Sequence, residues 1–304
     1  MKRIALNFSL LILLLGSLLT GCTQQTSSNG LKVVATTTIV GDIVRQIGGD
    51  RISLTVLLPV GADPHTYEPR PMDVASIHDA RVIFLNGLEL EHPLEPIILA
   101  NATGPVIAVS DGISVLPFSA TIGNEQHNAG DPHVWTDPNN VKIWVENIRQ
   151  ELSTVDPSGA ELYKANAEIL TKDLTELDAW IKQEVALIPT ANRKLITDHQ
   201  SMGYFTNRYG FEQAGLLLSS LTTNASPSAL DLAQVEKVIK TQGIRTIFIE
   251  VGASDTLASQ VAKDTGVTVA RIYSGSLGTA ESGAGTYLDF VRFNVNAIVE
   301  GLRK

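Results

Sequence analysis

Three of the six histidines in this 304-residue chain stand where metal chemistry is plausible on residue type and spacing. His65 lies in Gly61-Ala62-Asp63-Pro64-His65-Thr66-Tyr67-Glu68-Pro69, and His133 in Asp131-Pro132-His133-Val134-Trp135-Thr136-Asp137-Pro138. His199 ends the run Lys194-Leu195-Ile196-Thr197-Asp198-His199. Two of the three share an Asp-Pro-His tripeptide, and prolines stiffen both of those loops. A neutral imidazole offers a ring nitrogen to a cation, so three of them from separate segments describe a candidate site for a divalent transition metal. The remaining histidines read as solvated surface: His78 on a predicted helix, His92 before Pro93, and His127 in a polar stretch, with His127 a candidate accessory metal collector. The single cysteine, Cys22, leaves no internal disulfide and no thiolate cluster, so metal chemistry rests on imidazole and carboxylate.

Such a site needs a scaffold, and the hydrophobic pattern supplies one. From Leu31 onward, β-rich runs (LKVVATT, ISLTVLLP, RVIFLNG, VIAVS) alternate with helical patterns over residues 39–48 and 71–78. A second series follows, with KLITDH, FEQAGLLL, IRTIFIEV and VTVARIYSG alternating with helices over residues 202–209, 229–241 and 256–265. This alternation predicts an α/β fold of two lobes, each a mostly parallel sheet flanked by helices. Between the lobes, Asp156-Pro157-Ser158 reads as an N-cap region, and Leu170, Leu174, Leu177, Ile181 and Val185 recur at helical intervals. The spacing predicts one long connecting helix over residues 158–187, about 45 Å at ~1.5 Å per residue. The alternative is a helix belonging wholly to one lobe. The expected division is residues 31–156 for the first lobe, 157–188 for the connector and 189–304 for the second lobe. Open α/β sheets bind ligands at the carboxyl ends of their strands, where His65 and His199 fall.

The N-terminus reads as an export leader. Lys2 and Arg3 precede an apolar run over residues 4–19, shorter than the ~20 residues a spanning helix requires. Leu19-Thr20-Gly21-Cys22 resembles the lipobox of bacterial lipoproteins, which implies cleavage after residue 21 and lipid on Cys22. Residues 23–30, TQQTSSNG, are polar and small, a tether spanning at most roughly 28 Å. The expected location is therefore extracytoplasmic, held to a bacterial membrane by acyl chains. A net charge of −9 argues against nucleic acid as a partner.

Taken together, GADPHTYEP, DPHVWTDP and TDHQSMGYFTNRYGF resemble the signature segments of the zinc/manganese metal-binding lipoproteins, the cluster A-I solute-binding components of ABC importers. The resemblance extends over essentially the whole mature chain, through SLG and TYLDFVRFN near the C-terminus. It implies two lobes joined by one long helix, one metal ion between them, a membrane permease as partner, and action as a monomer. Carried over residue by residue, it places ligands on His65, His133 and His199. A fourth ligand in many members is an aspartate in a segment like Tyr-Thr-Asp-Ser-Leu-Gly, but here Tyr273-Ser274-Gly275-Ser276-Leu277-Gly278 has Gly275 at that position. Three substitutes are open: water, a carboxylate from the stretch through Glu281, or Glu250 at the end of IRTIFIE. Glu250 could instead accept a hydrogen bond from a ligand imidazole.

Three imidazoles with at most one carboxylate favour Zn²⁺, whereas Mn²⁺ prefers oxygen-rich shells; a manganese-binding member of the same family is the alternative. A zinc hydrolase is the rival of another class, because three histidines and an open position also describe a catalytic centre. Against it, the chain has no His-Glu-x-x-His helix and no Gly-x-Ser-x-Gly elbow, and only Glu250 or Glu68 could act as base. The reading is therefore a binding protein, not an enzyme. Trp135, Tyr204, Phe205 and Tyr209 are expected to pack the lobes rather than line an organic-ligand pocket, and the glycine-rich residues 275–285 to form a mobile surface loop.

Overall fold

The structure is a computed structural model that describes residues 30–117, 120–122, 125–127, 130–218 and 229–304. The leader, Cys22 and most of the tether lie outside the described residues. Among those described, no helix is long and apolar enough to cross a membrane.

The first lobe is built from β1 (Leu31–Ala35), α1 (Thr38–Gly48), β2 (Ile52–Val56), α2 (Pro71–Asp79), β3 (Val82–Leu85), α3 (Glu95–Asn101) and β4 (Val106–Ala108). Its strands form a parallel sheet in the order β2-β1-β3-β4. Helices cover both faces, which is why β3 is buried at all four residues and reads as a continuous apolar run rather than an alternating one. A short antiparallel pair follows, β5 (Ala120–Ile122) with β6 (Glu125–His127).

The second lobe repeats the plan with β7 (Lys194–Thr197), α6 (Gly203–Tyr209), β8 (Glu212–Leu216), α7 (Ala229–Gln242), β9 (Thr246–Glu250), α8 (Asp255–Thr265) and β10 (Thr268–Ile272). Its order, β10-β9-β7-β8, is again all parallel. In both sheets the third strand lies on the opposite side of the first from the second. Each lobe therefore has a switch point beside its first strand, where strand ends open a crevice.

Three helices remain: α4 (Pro138–Val155), packed on the first lobe, the connector α5 (Ala160–Val185), and α9 (Tyr287–Leu302), which closes the chain. The long connector predicted over residues 158–187 is present as α5, preceded by a tight 3₁₀ turn at Pro157–Gly159. At ~1.5 Å per residue it runs about 39 Å. Leu170, Leu174, Leu177, Ile181 and Val185 are all buried, as their spacing requires. The pattern reading does not include α3, α4 or α9, although α4 carries plain signals: Asp137 caps Asn139 N, Pro138 takes the first position, and Val141, Trp144, Val145, Ile148 and Leu152 form its buried face.

One contiguous core runs from Val33 and Ile39 in the first lobe, through Leu174 and Ile181 of α5, to Phe248 and Phe290 in the second. Hydrogen bonds cross with it: Tyr287 N donates to Asp42 of α1, and the Tyr287 hydroxyl to the Trp135 carbonyl. The lobes thus share an interior and should unfold together. Leu174→Ala, which empties a fully buried position, is expected to cost about 2–5 kcal/mol in urea denaturation. Far-UV circular dichroism and tryptophan fluorescence should report one coincident transition; two separated transitions would contradict the shared core.

Candidate metal centre

The three histidines predicted from sequence meet in the crevice between the lobes. His65 comes from the loop after β2, His133 from the loop before α4, and His199 from the loop after β7. Each is buried, at 5%, 1% and 2% exposure, and their donor nitrogens all lie within 4.8 Å of one another. His65 Nε2 and His133 Nε2 stand 3.3 Å apart, close to the spacing of roughly 3.3 Å that two nitrogens adopt on one tetrahedral zinc.

A nearby aspartate braces each histidine, at the backbone for all three and at the ring for His133 and His199. Asp63 Oδ1 accepts the His65 backbone N–H at 2.9 Å and its Oδ2 accepts the Thr66 hydroxyl, forming a small turn. Asp131 Oδ1 accepts the His133 backbone N–H at 3.0 Å and lies 2.9 Å from His133 Nδ1. Asp198 Oδ1 accepts the His199 N–H at 2.8 Å and lies 3.1 Å from His199 Nδ1. With Nδ1–H donating to a carboxylate, Nε2 carries the lone pair and turns toward the crevice. Sequence reasoning assigns Asp131 and Asp198 no role. Their signal is nevertheless present in the repeated Asp-Pro-His and in Asp-His, where an aspartate one or two residues ahead can bond both the backbone N–H and the ring.

Neighbouring elements hold these loops in turn. The buried Glu91 accepts from the Thr36 hydroxyl and from the Asn86 and Gly87 backbones, joining the ends of β1 and β3. Burial pushes its carboxyl up to about 7. The Asn86 amide donates to the Pro132 carbonyl, next to His133. Across the crevice Tyr204 donates to the Asp131 carbonyl, and Gly203 passes so close that a Cβ there would overlap the Asp131 carboxylate.

Glu250, at the end of β9, stands at the rim. Its backbone N–H donates to Asp198 Oδ2 at 2.8 Å, and its Oε1 accepts the Gly275 N–H at 3.0 Å. It groups with Asp198 and His199 as a second carboxylate-bearing cluster that shares His199 with the first. Glu281 sits on an exposed turn and does not line the crevice. The start of the glycine-rich segment is not the mobile surface loop expected: Ser274, Ser276 and Leu277 are buried against the first lobe. Trp135 Nε1 donates to the Ser274 carbonyl, the Gly61 N–H to the Ser276 hydroxyl, and the Leu277 N–H to the Thr38 hydroxyl. His78 is exposed on α2, whereas His92 is half-buried rather than fully solvated; neither lines the crevice. His127 falls in β6. Trp135, Tyr204, Phe205 and Tyr209 are buried in the core, as expected.

Burial opposes protonation of His199, but the hydrogen bond and charge of Asp198, with Glu250 and Asp63 adding, outweigh it and raise its pKa above the ordinary histidine value. A raised imidazole pKa means that protons compete with a cation at higher pH than for a free histidine.

The sequence matches the family described as zinc-uptake complex component A, periplasmic, over residues 33–301. It is 34% identical over 308 residues to the manganese-binding lipoprotein MntA of Halalkalibacterium halodurans, with 99% of each chain covered. Against the manganese ABC transporter substrate-binding lipoprotein PsaA of Streptococcus pneumoniae it is 31% identical over 315 residues, covering both chains fully. The fold superposes on the periplasmic zinc-binding protein TroA of Treponema pallidum with a TM-score of 0.79 at 27% identity, over 88% of this chain and 98% of that one. A Mn-bound periplasmic metal-binding protein of Candidatus Liberibacter asiaticus superposes with a TM-score of 0.77 at 29% identity, over 88% and 98% of the two chains.

The Asp198–His199 pair generates a prediction with a defined sign. In the native protein cation binding should weaken as pH falls, beginning above about 6.5 because the His199 pKa is raised. Asp198→Asn removes the charge that raises it. Affinity at neutral pH is expected to drop about 10–100-fold, while the midpoint of the acid loss moves to lower pH. Competition with a fluorescent chelator across pH measures both, and an unmoved midpoint would contradict the assignment.

Proposed function

This chain belongs to the zinc-uptake component A family of metal-binding proteins that serve ABC transporters, and from that premise we propose that it captures Zn²⁺ on His65, His133 and His199 and delivers it to a membrane permease. The family consists of solute-binding proteins rather than enzymes, and the hydrolase alternative has no support. The observation that carries the proposal is the convergence of three buried imidazole nitrogens within 4.8 Å. Zinc accepts such a donor set at the spacing found between His65 and His133. Manganese prefers oxygen donors, and Gly275 supplies none where the resemblance places an aspartate in many members. The manganese names of MntA and PsaA keep Mn²⁺ as the second reading.

In this reading Asp131 and Asp198 hold two of the imidazoles, and Glu250 balances charge from the rim. Trp135 and Ser274 fasten the loops of the two lobes beside the site, so capture requires only small loop motions. Ligand imidazoles must shed their protons before they bind, so uptake releases protons and acid favours release. Lipid on Cys22 would keep the monomer beside its permease, within the reach of the short tether.

His65→Ala, His133→Ala and His199→Ala are each expected to weaken zinc binding at least tenfold in chelator competition, about 1.4 kcal/mol or more, with His78→Ala unchanged. Glu250→Gln should lose a few-fold; a loss beyond a hundredfold would place it in the coordination shell. Elemental analysis of protein isolated without added metal should find about one zinc per chain, and manganese retained against equal zinc would overturn the choice of metal. Cys22→Ser is expected to move the protein from the membrane fraction to the soluble fraction with metal affinity unchanged. Continued membrane association would point to a retained spanning leader.

A further inference from the structure

Three imidazoles leave one side of a tetrahedral cation to be filled. Two residues determine what lies there. Gly275 has no side chain to offer, and a Cβ built on it would sit 3.1 Å from Pro64 and 3.8 Å from Glu250 Oε1, on the wall of the crevice. Glu250 already accepts the Gly275 N–H through Oε1, and it clusters with Asp198 and His199 rather than with all three imidazoles. The crevice that the three histidines line together with Pro64, Glu250, Gly252 and Gly275 is a partly open hollow of about 160 Å³, which includes the place of the cation itself. A water occupies roughly 30 Å³ of liquid, so the hollow has room for the cation and for more than a single bound water. It is comparable in size to cavities that admit a small ring compound.

Electrostatics select the occupant. The carboxylates of Asp63, Asp131, Asp198 and Glu250 set four formal negative charges around the imidazoles against two positive charges on the cation, so a further anion would meet net repulsion that an uncharged donor does not. On the capture reading given above, we infer that this hollow is a subsite for a small, uncharged nitrogen or oxygen donor that bonds directly to the captured cation. Water is its smallest occupant, and an imidazole or an amine is the class that displaces it. The donor's lone pair forms the new bond to the cation, the cation–water bond breaks, and the water leaves by the crevice mouth. No electron is transferred and no histidine has to detach first. The cation therefore leaves by associative exchange: an incoming donor binds on the Gly275 side before the protein imidazoles let go.

Cobalt(II) in place of zinc reports its ligands through its visible absorption. Titrating the full-length cobalt-loaded protein with imidazole near pH 8, where imidazole is mostly uncharged, is expected to shift those bands saturably, whereas acetate at the same concentration leaves them in place. Gly275→Asp, which puts a carboxylate on the open side, should abolish the imidazole response. Gly275→Ala, a smaller filling at a backbone conformation alanine can adopt, should weaken it several-fold with cobalt still bound. The rate at which a chromophoric chelator strips the metal is expected to rise with imidazole concentration in the native protein and to stay flat in Gly275→Asp. A native protein that holds one cobalt yet shows no imidazole response overturns the subsite, as does an unchanged response in both Gly275 variants. An equal response to acetate overturns the preference for uncharged donors. Failure to bind cobalt or zinc at all overturns the capture reading itself, and this inference with it.

Discussion

Burying three imidazoles against one another is the constraint on which the rest of the molecule turns. A ring nitrogen removed from water is costly to leave unpaired, and the three rings bring nitrogens within 4.8 Å of one another, a spacing that a shared cation can satisfy. The protein resolves the outward-facing half of that problem on the polypeptide itself. Asp131 and Asp198 sit one or two residues from their histidines and bond both the backbone N–H and Nδ1, so tautomer and ring direction are set locally. The inward-facing half, Nε2, faces the crevice, where those of His65 and His133 stand 3.3 Å apart.

That arrangement survives only if the three loops stay in register, and the shared core provides this. The connector α5 packs on α1 and α4 of one lobe and on α9 of the other, so the lobes are two sheets on a common spine. The Ser274–Leu277 segment completes the connection at the crevice. It receives Trp135, which neighbours His133, the Gly61 end of the His65 loop, and Glu250 at the rim. In many relatives the resemblance places a ligand in this segment; here it serves as a strap bonded to the His65 and His133 loops and to Glu250.

The departure at Gly275 also shapes the chemistry. On the proposed reading, glycine at that position leaves a donor set dominated by imidazole, which would suit zinc better than manganese, and it leaves space on one side of the crevice. Charge is not lost, because the aspartates behind the imidazoles and Glu250 at the rim remain. Asp198, with Glu250 and Asp63 adding, raises the pKa of His199 by hydrogen bond and charge.

Strand runs, the connecting helix and the three histidines are legible in the chain because each depends on local regularities: buried strands covered on both faces, apolar residues every three or four positions, and a repeated Asp-Pro-His. Helix α4 is equally legible through its Asp-Pro cap and its buried face, yet its start is masked by the adjacent histidine motif. The roles of Asp131 and Asp198 have a local signal too, in their distance from the histidines. The sequence by itself thus determined the two-lobed plan and which imidazoles were candidates. Only the tertiary structure decided that Glu250 is tied to Gly275, that the Ser274–Leu277 segment is buried, and that His65 and His133 approach within 3.3 Å. Those facts join residues tens to hundreds of positions apart, and no local period or composition encodes a distance that is set by how two sheets settle on one helix.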